Sequence, residues 1–258
     1  MPRSRYLFML ICAGIACILT ASMISYQYRY DWPLVNGFPI SWLSVGLDYL
    51  GTFFHEIGHT LFGWLFGYPT LPSFDLYHGG GMAYSFGRLQ ILVFIMYAGI
   101  GALVWKFRTD TAFVKLVGVV LLFHAFLNFT SWHKSAIDFM GHGFELMIAS
   151  FCIWRAWHDK AVNRLERWLN GVVGFGIIFM NMALFVGLIV SDTQRLKYLK
   201  QKGEHGFGDF SKIQRAFGFE SLDPVAFFAL ICSLAALAAP FVLFRPQPRH
   251  QNHASPDH

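Results

Sequence analysis

His55, Glu56 and His59 form a His-Glu-x-x-His motif inside the apolar run Phe53-Phe54-His55-Glu56-Ile57-Gly58-His59-Thr60-Leu61-Phe62. On a helix, positions i and i+4 share one face, so both imidazoles can reach a single zinc ion. Glu56 lies beside them, where its carboxylate can act as general base toward a water that the metal activates. With this His and Glu content, a chance match somewhere in the chain has a probability on the order of one per cent. Ionisable groups among Phe and Leu are costly and have no solvated-surface explanation, which favours a metal site over a self-satisfying polar cluster.

A catalytic zinc takes three protein ligands and keeps one position open for water. The third ligand must come from another part of the chain. Asp138, His142 and Glu145 stand at i, i+4 and i+7, a stripe down one helical face. Each of the three can ligate zinc, and spacing alone does not choose among them. His124 and Asn128, again four residues apart, read either as groups that orient ligands or substrate or as interhelical hydrogen-bond partners. Asp48, seven residues before His55, either supports the site or meets water near the start of its helix. Asp75 and His78 fall in a loop that could roof the site, with no role that sequence assigns. His133 reads as an interfacial residue at the end of a span.

The elements that carry these residues are membrane helices. Of 258 residues, 55% are hydrophobic and only 14% charged, with 28 Phe; a soluble fold needs more polar skin than that. The same numbers exclude disorder. The net charge of +5 is scattered through short joints, as suits loops beside anionic head groups, and leaves no nucleic-acid footprint. Cys12, Cys17, Cys152 and Cys232 lie in apolar stretches without a CxxC pair, so neither a disulfide framework nor a thiolate zinc site is expected.

A span needs about 20 apolar residues. Seven runs qualify: 6–26, 41–67, 88–105, 112–131, 136–157, 170–191 and 224–244. The first follows Arg3 and Arg5 and reads as a retained signal anchor. The second stops at Gly67-Tyr68-Pro69. Residues 192–223 form the one long polar segment, in which Phe210, Ile213 and Phe217 recur at helical spacing and predict a short interfacial helix. The tail 246–258 reads as disordered. The expectation is an all-α, polytopic bundle of six to seven transmembrane helices, forming a single integral-membrane domain over 1–258.

The chain resembles the site-2 protease family of intramembrane zinc metalloproteases. Phe54-His55-Glu56-Ile57-Gly58-His59 is similar to the family's apolar-flanked motif. Gly79-Gly80-Gly81, after Pro69 and Pro72, resembles the Gly-containing loop or hairpin that follows the motif helix. Ala98-Gly99-Ile100-Gly101 is similar to its Ala-Gly segment. Ile137-Asp138 stands where the family has Leu-Asp-Gly, although Phe139 replaces the usual glycine. Asn128 resembles the family's active-site asparagine. The resemblance covers about 41–150 and includes no PDZ-like insert.

The resemblance implies one zinc per chain held by His55, His59 and Asp138, with Glu56 catalytic and Asn128 near the substrate. It implies hydrolysis of a peptide bond within or near the transmembrane segment of a membrane-anchored protein. The expected setting is the lipid bilayer, as a multi-pass protein of a bacterial cell (inner) membrane. Two rivals accompany it. A zinc or divalent-cation transporter can also carry His-Glu-x-x-His on a membrane helix, but Gly58 stands where such a carrier would have proline. An inactive scaffold retaining its metal would have no use for the intact Glu56.

Overall fold

A computed structural model describes residues 2–28, 37–75, 80–200 and 208–243. His78, Gly79 and the tail 246–258 lie outside the described residues. Every apolar run is helical: α1 (Pro2–Tyr28), α2 (Ile40–Leu65), α3 (Gln90–Lys106), α4 (Thr111–Asn128), α5 (Trp132–Trp157), α6 (Arg164–Val190) and α9 (Asp223–Val242). Between the last two lie α7 (Asp192–Tyr198) and α8 (Asp209–Phe217). The only strands among the described residues are β1 (Thr70–Asp75) and β2 (Gly80–Ser85), paired antiparallel from Thr70↔Ser85 to Asp75↔Gly80. This all-α bundle with one small hairpin matches the expected fold class.

Five helices, α1, α4, α5, α6 and α9, are long and apolar enough to cross a membrane. The chain is therefore a membrane protein. α3, at 17 residues, falls short of that length. α2 is long enough at 26 residues, but it carries the polar motif. No residue of α4 is buried, and Leu116, Leu122 and Phe123 face outward. Such a surface belongs in lipid.

α2 ends as its sequence directs. Gly67 adopts φ +83, Tyr68 N–H donates to the Gly63 carbonyl at 2.8 Å and Gly67 N–H to that of Trp64 at 3.1 Å. This is a Schellman cap, which needs the left-handed residue that glycine supplies. The chain then turns directly into β1, bringing the hairpin back along α2.

Two apolar clusters hold the bundle. One joins Cys12 and Ala16 of α1 to Ile153 of α5 and Ile177 of α6. The other joins Phe185 of α6 to Phe210 and Ile213 of α8 and Ala226 of α9. The helix expected from Phe210, Ile213 and Phe217 is thus present. It docks on the bundle rather than lying free at the interface: Phe210 is fully buried, while Phe217 stays exposed. Cys12 is buried, and all four cysteines are free thiols.

Candidate metal centre

α2 crosses α5 at two glycines. A Cβ on Gly58 would sit 2.1 Å from the Met140 carbonyl oxygen, so only glycine permits this approach. One residue further along α5, a Cβ on Gly141 would sit 2.5 Å from His59 Nε2 and 2.6 Å from His55 Nε2. The glycine leaves open a space beside both imidazole nitrogens.

His55 and His59 are both buried, with their Nε2 atoms 3.0 Å apart. Asp209, at the first turn of α8, places Oδ2 3.0 Å from His55 Nε2 and 3.2 Å from His59 Nε2. Burial penalises the Asp209 charge, but hydrogen bonding to His55 and His59 outweighs it and holds the carboxyl well below the usual range.

The other atom of each of these three groups is also engaged. His55 Nδ1 lies 2.6 Å from Glu145 Oε1. His59 Nδ1 lies 2.8 Å from the Ile137 carbonyl oxygen, which can only accept. Both rings therefore carry hydrogen on Nδ1 and turn Nε2 toward Asp209 Oδ2, where Nε2 donates to that oxygen when protonated and offers a lone pair to a cation when not. Asp209 Oδ1 is 3.3 Å from Lys212 Nζ, leaving Oδ2 for the imidazoles. Three donor atoms converge, and either protons on the imidazoles or a bound cation must sit among them to offset their mutual repulsion.

The spacing fits a metal. Bonds of about 2.0–2.1 Å in a tetrahedral zinc site set neighbouring donors about 3.3 Å apart, close to the 3.0, 3.0 and 3.2 Å edges observed. Outer partners on ligand atoms, carboxylate to histidine above all, are the usual accompaniment of such sites. A second metal-competent group, His55, His142 and Glu145, shares His55. It omits His59, and its 2.6 Å edge from His55 to Glu145 is that of a hydrogen bond.

Asp209 thus occupies the corner expected of Asp138. Asp138 Oδ1 instead meets Lys212 Nζ at 3.3 Å, so Lys212 bridges the two aspartates. The reason is geometric: the backbone of Gly141, not the Asp138 side chain, faces the imidazole nitrogens across the α2–α5 crossing. The other members of the predicted stripe lie against the motif without joining the His55–His59–Asp209 group. Glu145 orients His55, and His142 Nδ1 lies 2.8 Å from Asn181 Oδ1.

Asn128 and His124 belong elsewhere. Asn128 Oδ1 accepts from Arg88 Nη2 at 2.5 Å, and Arg88 Nε donates to the Phe66 carbonyl at 3.1 Å. His124 donates from Nε2 to the Leu65 carbonyl at 3.2 Å and accepts from Tyr97 Oη at 2.8 Å. His133 is buried rather than interfacial; its Nδ1 donates to the Thr130 carbonyl at 2.6 Å and its Nε2 accepts from Tyr68 Oη at 3.0 Å. These bonds satisfy carbonyls at the ends of α2 and α4. Asp48 is half-buried on α2 and joins neither metal-competent group.

Glu56 is buried under the hairpin. A Cβ on Gly81 of β2 would fall 2.4 Å from Glu56 Cγ and 2.7 Å from its Oε1, so this position of the expected glycine-rich segment lies directly on the motif carboxylate. Sequence reasoning missed Asp209, Lys212, Asn181 and the function of Gly141. The signal for Asp209 was the α8 pattern itself, because burying Phe210 draws its neighbour to the bundle.

No protein-family model matches the chain, and no curated protein and no solved structure matches it significantly.

Proposed function

We propose that the chain is a multi-pass intramembrane zinc metalloprotease that hydrolyses a peptide bond within or near the transmembrane segment of a membrane-anchored protein. The observation that carries this reading is the convergence of His55 Nε2, His59 Nε2 and Asp209 Oδ2, each group fixed from behind, beside a buried glutamate. His55, His59 and Asp209 would hold the ion, with a fourth position for water. When bound, zinc supplies polarisation of that water and of the scissile carbonyl.

Glu56 takes the proton of the water on a carboxylate oxygen and passes it to the departing amine nitrogen as the C–N bond breaks. Water supplies the new C–O bond and the two protons that appear on the products, so the step balances without a redox partner. Burial of Glu56 beneath β2 keeps bulk water from it. A helical substrate hides its carbonyls, so the cleaved segment must be extended. The hairpin supports this, since each strand of a two-stranded sheet has one unpaired edge, and β2 runs past Glu56. An extended segment can add there as a third strand.

The test is cleavage of a co-reconstituted single-span protein whose span contains helix-breaking Gly and Pro. The zinc-loaded wild type is expected to cleave it, and Glu56→Ala to retain zinc and cleave nothing. Equal cleavage by both proteins would contradict the reading.

A further inference from the structure

Asn181 stands in the middle of α6, outside the segment that carries the motif and its stripe, and is 4% exposed. Every polar atom of its side chain is used. Nδ2 donates to Glu145 Oε2 at 2.5 Å and to the Ile177 carbonyl at 3.0 Å. Both partners are acceptors, which fixes the amide orientation; Oδ1 then accepts from His142 Nδ1–H at 2.8 Å. Glu145 in turn gives its other oxygen, Oε1, to His55 Nδ1.

We propose that Asn181 is a positioning residue of the metal centre, acting on His55 through Glu145. This rests on the zinc reading above. It holds the Glu145 carboxylate in the rotation that presents Oε1 to His55. It also removes a rival: His142 Nδ1 lies only 3.6 Å from the same Oε1, and Asn181 Oδ1 draws that hydrogen away. Without Asn181, His142 and His55 would compete for one oxygen, and the His55 ring would lose its fixed direction. An asparagine serving only to tie α6 to α5 would need one bond to α5, not an arrangement that divides the two oxygens of Glu145 between separate tasks. α6 therefore belongs to the metal centre as much as the helices bearing its ligands do.

The test measures zinc affinity of the full chain in detergent by chelator competition, for wild type, Asn181→Leu, Glu145→Ala and the double variant. Loss of an outer partner typically weakens metal binding about 10–100-fold, and that is the change expected for Asn181→Leu. Because Asn181 acts through Glu145, the double variant should bind no more weakly than Glu145→Ala alone. The cobalt-substituted Asn181→Leu protein should show a shifted visible spectrum, which a residue serving only to join helices would not produce. If Asn181→Leu does not fold, Asn181→Asp keeps the volume, removes the amide donor, and should weaken zinc in the same range. Wild-type affinity in a folded Asn181 variant overturns the proposal, and so do losses that add in the double variant. Failure of the wild type to bind zinc overturns the metal reading beneath it, a separate and recognisable outcome.

Discussion

Exchanging the two aspartates on either side of Lys212 separates ligand from neighbour. Asp209 Oδ2 lies 3.0 and 3.2 Å from the imidazole nitrogens, whereas Asp138 reaches only Lys212, at 3.3 Å. Four-ligand zinc sites bind with roughly 10–16 kcal/mol, or about 3 kcal/mol for each protein ligand. Asp209→Ala should therefore weaken zinc by about 100–1,000-fold, at about 1.4 kcal/mol per tenfold. Asp138 acts on the site only through Lys212, a half-buried pair (35% and 20% exposed) whose lysine keeps Asp209 as a second carboxylate, so the indirect effect is set at about 0–1 kcal/mol. Asp138→Ala should thus weaken zinc by no more than about fivefold. The two variants should differ by well over tenfold in a chelator competition run side by side. The reasoning is refuted if Asp138→Ala loses zinc while Asp209→Ala keeps it.

Three glycine and asparagine substitutions probe the rest of the centre. Gly141→Ala puts a methyl 2.5–2.6 Å from both Nε2 atoms, so the purified protein should carry no zinc by elemental analysis; a full complement would show that the space is not the metal's. Gly81→Ala drives a methyl into Glu56; zinc should stay bound while cleavage falls roughly 100-fold, the scale of a 1 Å misplacement, and undiminished cleavage would separate the hairpin from the base. Asn128→Ala strips Arg88 of an acceptor and should cost about 1–3 kcal/mol of stability. It should lower the thermal midpoint in detergent and leave zinc content untouched, whereas zinc loss at unchanged stability would return Asn128 to the site.

The helices and the motif were legible because both depend on local sequence. Apolar runs mark spans, the i, i+4 spacing marks one helix face, and Gly67-Tyr68-Pro69 marks a stop. The stripe of Asp138, His142 and Glu145 was also legible as a face, and the structure turns it toward the motif. What could not be read was rank within that face, since the crossing at Gly58 and Gly141 sets which residue comes level with the imidazoles. Asp209 lies 150 residues beyond His59, in the polar segment between spans, where no periodicity links the two. The docking of Phe210 against His142 of α5 and Phe185 of α6 brings it there. Asn181 was hidden for the converse reason: a single amide in an apolar span reads equally well as interhelical glue.

Metal analysis of the detergent-purified chain tests the central claim most directly, with wild type beside His55→Ala and Glu56→Ala. One zinc per chain is expected in the wild type and in Glu56→Ala, and none in His55→Ala. No zinc in the wild type even after reconstitution, or equal zinc in wild type and His55→Ala, would contradict it.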